Sequence, residues 1–278
     1  MNSVHAEIDA RHDPSPRRFF IAGSQRSGTT LVRLVLGSHP DICCYDEVDG
    51  YAALAEGSCS DVARLVGFKV PMWTEMLGEE CPADPRAAGV YRGEPIVFLL
   101  RDVRDTVASM LRLRSTATQS WLAAWGRPIL EGAIASRPGF TGRFAREIAR
   151  LRELSEPEVA VGALYWKFKT IAYFDHLDRG RPVCPLRYER LTADPEPELR
   201  QVLDFLGLPW DPAVLDHPRM AHREVFEDGL TVGHTNPNRA IDMGSVGLWR
   251  GAFSADDERI LLEIAGDLNE RITALDAA

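Results

Sequence analysis

The sequence predicts an α/β fold, a parallel β-sheet flanked by helices, and three stretches carry that prediction. Arg18 to Ala22 (RFFIA) is a short apolar run that stops at Gly23, as a buried strand does. After a Gly/Ser loop, Leu31, Leu34 and Val35 recur at helical spacing up to Gly37. Pro95 to Leu100 (PIVFLL) repeats the pattern, with Arg101 at its end and a helix expected from Val103 to Arg114. Strand, loop and helix in that order open an α/β nucleotide-binding unit.

The other elements follow in order. Val66 to Val70 (VGFKV) adds a strand, and Pro182 to Arg187 (PVCPLR) adds another that Pro185 confines to an edge or bends. Helical patterns occupy Gln119 to Trp125, Thr141 to Leu154, Glu158 to Leu177, Glu196 to Leu206 and Ala255 to Ile272. Asp216 to Gly247 is rich in Pro, Gly, His and Asn and reads as a long loop, functional or disordered. With no repeat or linker, the expected organisation is a disordered tail over residues 1–17 and one domain over residues 18–278.

Composition sets limits on function. The chain has 278 residues, 45% apolar and 26% charged, as in an ordinary globular protein. A net charge of −9 argues against a general nucleic-acid binder, which needs an excess of cations. Arg supplies nearly all the positive charge; the lysines are Lys69, Lys167 and Lys169 alone. Five cysteines without C-x-x-C spacing argue against zinc or a disulfide framework and for a reducing compartment. The polar N-terminus and the lack of a long apolar run predict a cytoplasmic, bacterial-type protein without a membrane span.

The chemistry concentrates in IAGSQRSGTT, Ile21 to Thr30. Gly23 and Gly28 have P-loop spacing and Thr30 takes the Ser/Thr place, but Thr29 replaces the lysine that reaches a triphosphate. A strand-to-helix loop still offers backbone N–H groups and a helix dipole to an anion. An ordinary tight glycine turn is the lesser alternative for the loop taken alone. In LLRDVRDTVASM, Arg101 closes a strand and Ser109 lies two helical turns on, so both can face one phosphate at the carboxyl edge of the sheet.

Together these stretches resemble the sulfotransferases that use 3′-phosphoadenosine 5′-phosphosulfate (PAPS). QRSGTTL, Gln25 to Leu31, is similar to their first motif, with Gln25 in place of the usual proline. Arg101 to Ser109, Arg187 to Leu191 (RYERL) with Leu203 to Trp210, and Ser245 to Gly251 (SVGLWRG) resemble three further blocks in the same order. The resemblance implies a P-loop NTPase-like fold and PAPS as donor, with its bisphosphate (PAP) as product and no metal. It places Gln25, Arg26, Ser27, Gly28, Thr29 and Thr30 at the 5′ end, and Arg101 and Ser109 at the 3′-phosphate. Tyr188 falls on the adenine side, and Ser245, Leu248, Trp249 and Arg250 in a closing loop.

SHPDICCYDEV, Ser38 to Val48, is similar to a segment of tyrosylprotein and carbohydrate sulfotransferases whose last Glu is the base, here Glu47. Asp46 beside it is expected to raise its pKa, and His39 is the rival base. GFKVP, Gly67 to Pro71, resembles a segment of related enzymes whose Lys contacts the leaving phosphosulfate, which implies Lys69 as the cation for the leaving phosphate, with Arg26 and Ser245 assisting. Trp121 and Trp125, at i, i+4, read first as core and second as an acceptor platform; Tyr165 and Trp166 read as core. The irregular spacing of His217, His222 and His234 suggests no metal site. The expected acceptor is a small-molecule or glycoside hydroxyl; the oligomeric state, monomer or homodimer, is left open. A P-loop kinase or NTPase, or an inactive nucleotide-binding module, are the competing functions.

Overall fold

A computed structural model describes residues 17–56, 63–80, 82–115, 117–226, 229–231 and 233–277. The proposed tail therefore lies outside the described residues, except that Arg17 opens the first strand. Five strands form one sheet: β1 (Arg17–Gly23), β2 (Ile42–Tyr45), β3 (Leu65–Lys69), β4 (Ile96–Leu100) and β5 (Val183–Arg187). Their order is β2-β3-β1-β4-β5 and every neighbouring pair is parallel. All carboxyl ends thus share one edge, where Gly23, Tyr45, Lys69, Leu100 and Arg187 end their strands.

Among the described residues, eleven α-helices cover the sheet: α1 (Thr29–Leu36), α2 (Glu47–Glu56), α3 (Val103–Arg112), α4 (Arg127–Ser136), α5 (Pro138–Arg143), α6 (Ala145–Glu153), α7 (Glu158–Thr170), α8 (Ala172–Asp178), α9 (Tyr188–Ala193), α10 (Pro195–Leu206) and α11 (Ala255–Ala274). The period-2 alternation of the central strands decides which side chain meets which layer. Phe20, Phe68 and Phe98 face a core completed by α3, α7 and α11. Phe19, Ile21, Val97 and Leu99 face one built from α1, α10 and β5. With both faces buried, these strands read as continuous apolar runs. Pro185 sits in β5, which pairs only with β4, as expected of an edge.

Several expected boundaries shift. The 158–177 pattern is two helices broken at Ile171, and the 141–154 pattern breaks at Phe144. The 119–125 pattern becomes one π-helical turn, Leu122–Gly126, leading into α4. Two of the lysines are structural. Lys167 bonds Glu147, Asp267 and the Ile264 carbonyl, tying α6, α7 and α11. Lys169 bonds Glu75 and the Met72 carbonyl.

Gly67 in β3 lies opposite Phe19 of β1, and a Cβ there would come within 2.4 Å of the Phe19 ring and 2.8 Å of Cys44 Sγ. The expected cost of Gly67→Ala is therefore about 1–3 kcal/mol of overpacking. A shift of the urea midpoint at unchanged slope would measure it.

Candidate functional site

The loop after β1 is shaped by its own backbone and by one tyrosine. Arg26 adopts φ 70° and Gly28 φ 104°. A Cβ on Gly28 would meet Tyr188 Cδ2 at 2.5 Å, so only glycine lets the α9 ring lie against the start of α1. Ser27 Oγ donates to the Ser24 carbonyl at 2.6 Å and is buried. Its hydroxyl is spent holding the turn, which corrects its expected place among the ligand donors. Gln25 accepts from the Tyr165 hydroxyl at 2.7 Å, and Trp166 donates to the Arg101 carbonyl at 3.1 Å. These two core aromatics of α7 thus fix both anion-facing loops.

Beside the loop lies a cavity of about 260 Å3 lined by Arg26, Gly28, Thr29, Thr30, Arg101, Ser109, Tyr188 and Ser245. It also takes in Arg112 at the end of α3 and, from the long loop, His234, Asn236 and Arg239; sequence reasoning assigned none of them to the site, because the loop residues carry no recognisable spacing. Arg101 stacks on the Tyr188 ring at 4.3 Å and donates to the carbonyls of Arg26 and Ser245. Its Nε is buried with no hydrogen-bond partner. Arg26 donates to Ser109 Oγ at 3.2 Å and to the Gly233 carbonyl at 2.8 Å. Burial, followed by the neighbouring Arg101 charge, lowers the Arg26 guanidinium to about 10, so it remains a cation at neutral pH. Two guanidiniums pressed together, one with an idle buried donor, form a site for an anion.

Leu248, Trp249 and Arg250 do not line this cavity. Asp105 of α3 accepts from the Gly247 and Trp249 backbone N–H groups at 2.7 and 3.1 Å, and Trp249 stacks with Arg104 at 4.4 Å. That loop is anchored by its backbone, and of its expected contacts only Ser245 reaches the cavity. Gln25 lies instead in an adjoining cavity of about 250 Å3 with Arg26, Thr29, Thr30, Glu47, Lys69, Trp121 and Trp125.

At this junction Lys69, 1% exposed, places its Nζ 2.5 Å from Asp46 Oδ1, 3.1 Å from Glu47 Oε2 and 3.0 Å from Thr30 Oγ1. Asp46 was expected to act on Glu47 by repulsion; instead it is held by Lys69 and by Arg33 Nη2 at 2.9 Å. Its Oδ1 also accepts the Glu47 N–H at 2.7 Å, capping α2. His39 is excluded as base by its bonds. Nδ1 accepts the Asp41 N–H at 3.1 Å, so the Nε2 proton goes to the Pro209 carbonyl at 3.0 Å. The long loop also contributes Glu224, at φ 58°, which accepts the Asp46 and Asp49 N–H groups at 2.5 and 2.9 Å. His217 and His222 bond carbonyls of that loop, and among the described residues no three His, Cys, Asp or Glu side chains are grouped to hold a metal.

A phosphate-sized cradle, paired arginines and a lysine–carboxylate junction on one sheet edge agree with the comparisons. The profile described as the sulfotransferase family matches residues 16–65 and 85–212. The chain belongs to the sulfotransferase family. It is thus an enzyme of the class that draws its sulfuryl group from PAPS. It is 24% identical over 259 residues to protein-tyrosine sulfotransferase 1 of Danio rerio, covering 88% of this chain and 69% of that protein. It is 25% identical over 281 residues to protein-tyrosine sulfotransferase 2 of Gallus gallus, covering 95% and 71%. The fold matches the sulfotransferase domain of the curacin biosynthetic pathway with a TM-score of 0.56 at 17% identity, over 90% of this chain and 97% of that one. The sulfotransferase domain of the Synechococcus PCC 7002 olefin synthase gives 0.52 at 16%, over 89% and 94%.

Burial, and then the Asp46 charge, push the Glu224 carboxyl up to about 6. Folding therefore favours its protonated form. Its contribution is complete below the ordinary carboxyl value of about 4.3 and is lost as pH rises through the shifted one. In urea titrations, the wild-type enzyme is expected to lose stability relative to Glu224→Gln between pH 4 and pH 7. A pH-independent difference would contradict the assignment.

Proposed function

We propose that the enzyme moves the sulfuryl group of PAPS to an acceptor hydroxyl by in-line displacement, with Glu47 as general base. The observation that carries this reading is the position of Glu47. It lines the cavity shared with the anion loop and also a third, more apolar cavity that adjoins it. A carboxylate between two cavities suits a proton acceptor that meets one substrate while the other is held opposite.

The residues fit PAPS. Arg101, with its idle Nε, together with Ser109 and Arg26, suits the 3′-phosphate. The N-terminus of α1, with Thr29 and Thr30, suits the 5′-phosphate, and Tyr188 borders the same cavity on the adenine side. When bound, PAPS supplies the sulfuryl group and a phosphate leaving group. Glu47 takes the acceptor proton on its carboxylate oxygen. Lys69 holds Glu47 in place and faces the same cavity as Arg26, so both cations are placed to offset negative charge that builds on the leaving side. Ser245 contributes through its carbonyl, which orients Arg101. The triphosphate-using alternatives lack their lysine at Thr29, and the inactive-module reading leaves the Lys69–Glu47 pair without a task.

Glu47→Gln is expected to lower kcat by about 10²–10⁴ while the Kd for PAP stays near wild type. Equal turnover in that variant would remove Glu47 from the mechanism. Arg101→Lys keeps the charge but loses the planar fork and its idle donor. It should weaken PAP binding by roughly tenfold or more, read by calorimetry.

A further inference from the structure

Against Glu47 lies a cavity of about 450 Å3 that shares Gln25, Trp121, Trp125 and His234 with the cavity at the anion loop and extends beyond it. Its size is in the range of about 300–1,000 Å3 typical of small-molecule sites. Apolar side chains dominate the lining: Met72, Trp121, Trp125, Ile129, Phe226 and Leu230. The two tryptophans were expected in the core, and the structure places both here.

Their placement is built rather than incidental. Trp121 immediately precedes the π-helical turn Leu122–Gly126 and Trp125 lies within it, a departure from α geometry that recurs at functional sites. A Cβ on Gly126 would meet Leu122 Cδ1 at 2.8 Å and Trp121 Cζ3 at 3.0 Å, so glycine permits the tight turn. Trp121 packs edge-on against Tyr165 at 5.5 Å, the same tyrosine that holds Gln25 of the anion loop. Trp125 is 57% exposed, yet its indole N–H donates to Ser115 Oγ at 2.8 Å, which fixes the ring. Two oriented indoles beside a base are a platform for a flat apolar ring.

Resting on the sulfuryl-transfer reading, we infer that the acceptor is a small apolar phenol, seated in this cavity with its hydroxyl at Glu47. In the transfer, the phenolic O–H proton passes to Glu47, an O–S bond forms, and the S–O bond to the 5′-phosphate breaks with its electron pair leaving on PAP. A phenol, with an ordinary pKa of about 10, yields its proton to a carboxylate more readily than a less acidic aliphatic alcohol does. A glycoside brings several hydroxyls that each need a partner, at about 1–3 kcal/mol for each left unmade. The lining's polar side chains are few: Gln25, whose Oε1 already accepts from Tyr165, Thr231, which donates to the Thr235 carbonyl, His234, and Glu47 itself. A peptide carries main-chain polar groups past the mouth, where Val48, Trp125 and Phe226 present apolar surface at 61%, 57% and 50% exposure.

The test measures transfer from sulfur-labelled PAPS to 2-naphthol, 1-octanol, a methyl glucoside and an acidic tyrosine peptide, with PAP binding measured in parallel. The expected result is a kcat/KM for 2-naphthol at least about tenfold above the other three. Trp125→Ala is expected to raise KM for 2-naphthol by about tenfold, with kcat within about twofold and PAP affinity unchanged. PAP binding together with preferred transfer to the glucoside, the octanol or the peptide, or to none of the four, overturns the phenol assignment and leaves sulfuryl transfer standing. Loss of kcat without a change of KM in Trp125→Ala also overturns it. Absence of PAP binding and of all transfer would bring down the sulfuryl-transfer reading, and the phenol assignment with it.

Discussion

A lysine almost sealed from water is tolerable only where its charge is matched, and Lys69 at the end of β3 meets that condition with Asp46, Glu47 and Thr30. The match extends outward, since Asp46 also takes the Arg33 guanidinium of α1, so that two cations face two carboxylates. Removing one member strands its partner at a cost of about 3–5 kcal/mol, which binds α1, β3 and α2 into one electrostatic unit. The loop after β1 and the helix bearing Glu47 are thereby held in register by charge as well as by the sheet.

The same cluster explains why the long 216–247 segment is part of the site rather than a connection. Glu224 reaches the first turn of α2 and accepts two backbone N–H groups that the helix itself cannot satisfy. Gly233 accepts from Arg26, and His234 borders both substrate-sized cavities beside Glu47. Behind the opposite wall, α7 sends Tyr165 to Gln25 and Trp166 to the Arg101 carbonyl. Core packing and site geometry are therefore coupled at these two aromatics, whose polar tips carry the precision.

Legibility in the sequence followed element length and local pattern. The apolar runs of β1, β3 and β4 and the long helices α10 and α11 were evident, because burial on both faces or periodicity over several turns leaves a strong signal. β2 was not read, because ICCY is four residues long and lies within a motif that drew attention for its chemistry. The helix breaks at Phe144 and Ile171 were invisible because both residues continue the apolar pattern, and only packing against neighbouring helices decides where a chain turns. Ser27, Leu248, Trp249 and Arg250 show the converse: a matching motif marks a loop, but not which of its atoms are already spent within the fold.

By itself the sequence determined the α/β class and the anion loop without its lysine, and it marked Arg26, Arg101, Ser109, Glu47 and Lys69 as candidates. These are local properties, written in the order of residue types along short stretches. The tertiary structure alone decided that Asp46 pairs with Lys69 and Arg33, and that Glu224 caps the helix that begins at Glu47. It also decided that Trp121 and Trp125 line a cavity, Trp121 while packing against the core and Trp125 from an exposed position. Each of these depends on which groups, far apart in the chain, come within hydrogen-bonding reach of one another. That distance is set when the strands pair and their carboxyl ends gather on one edge.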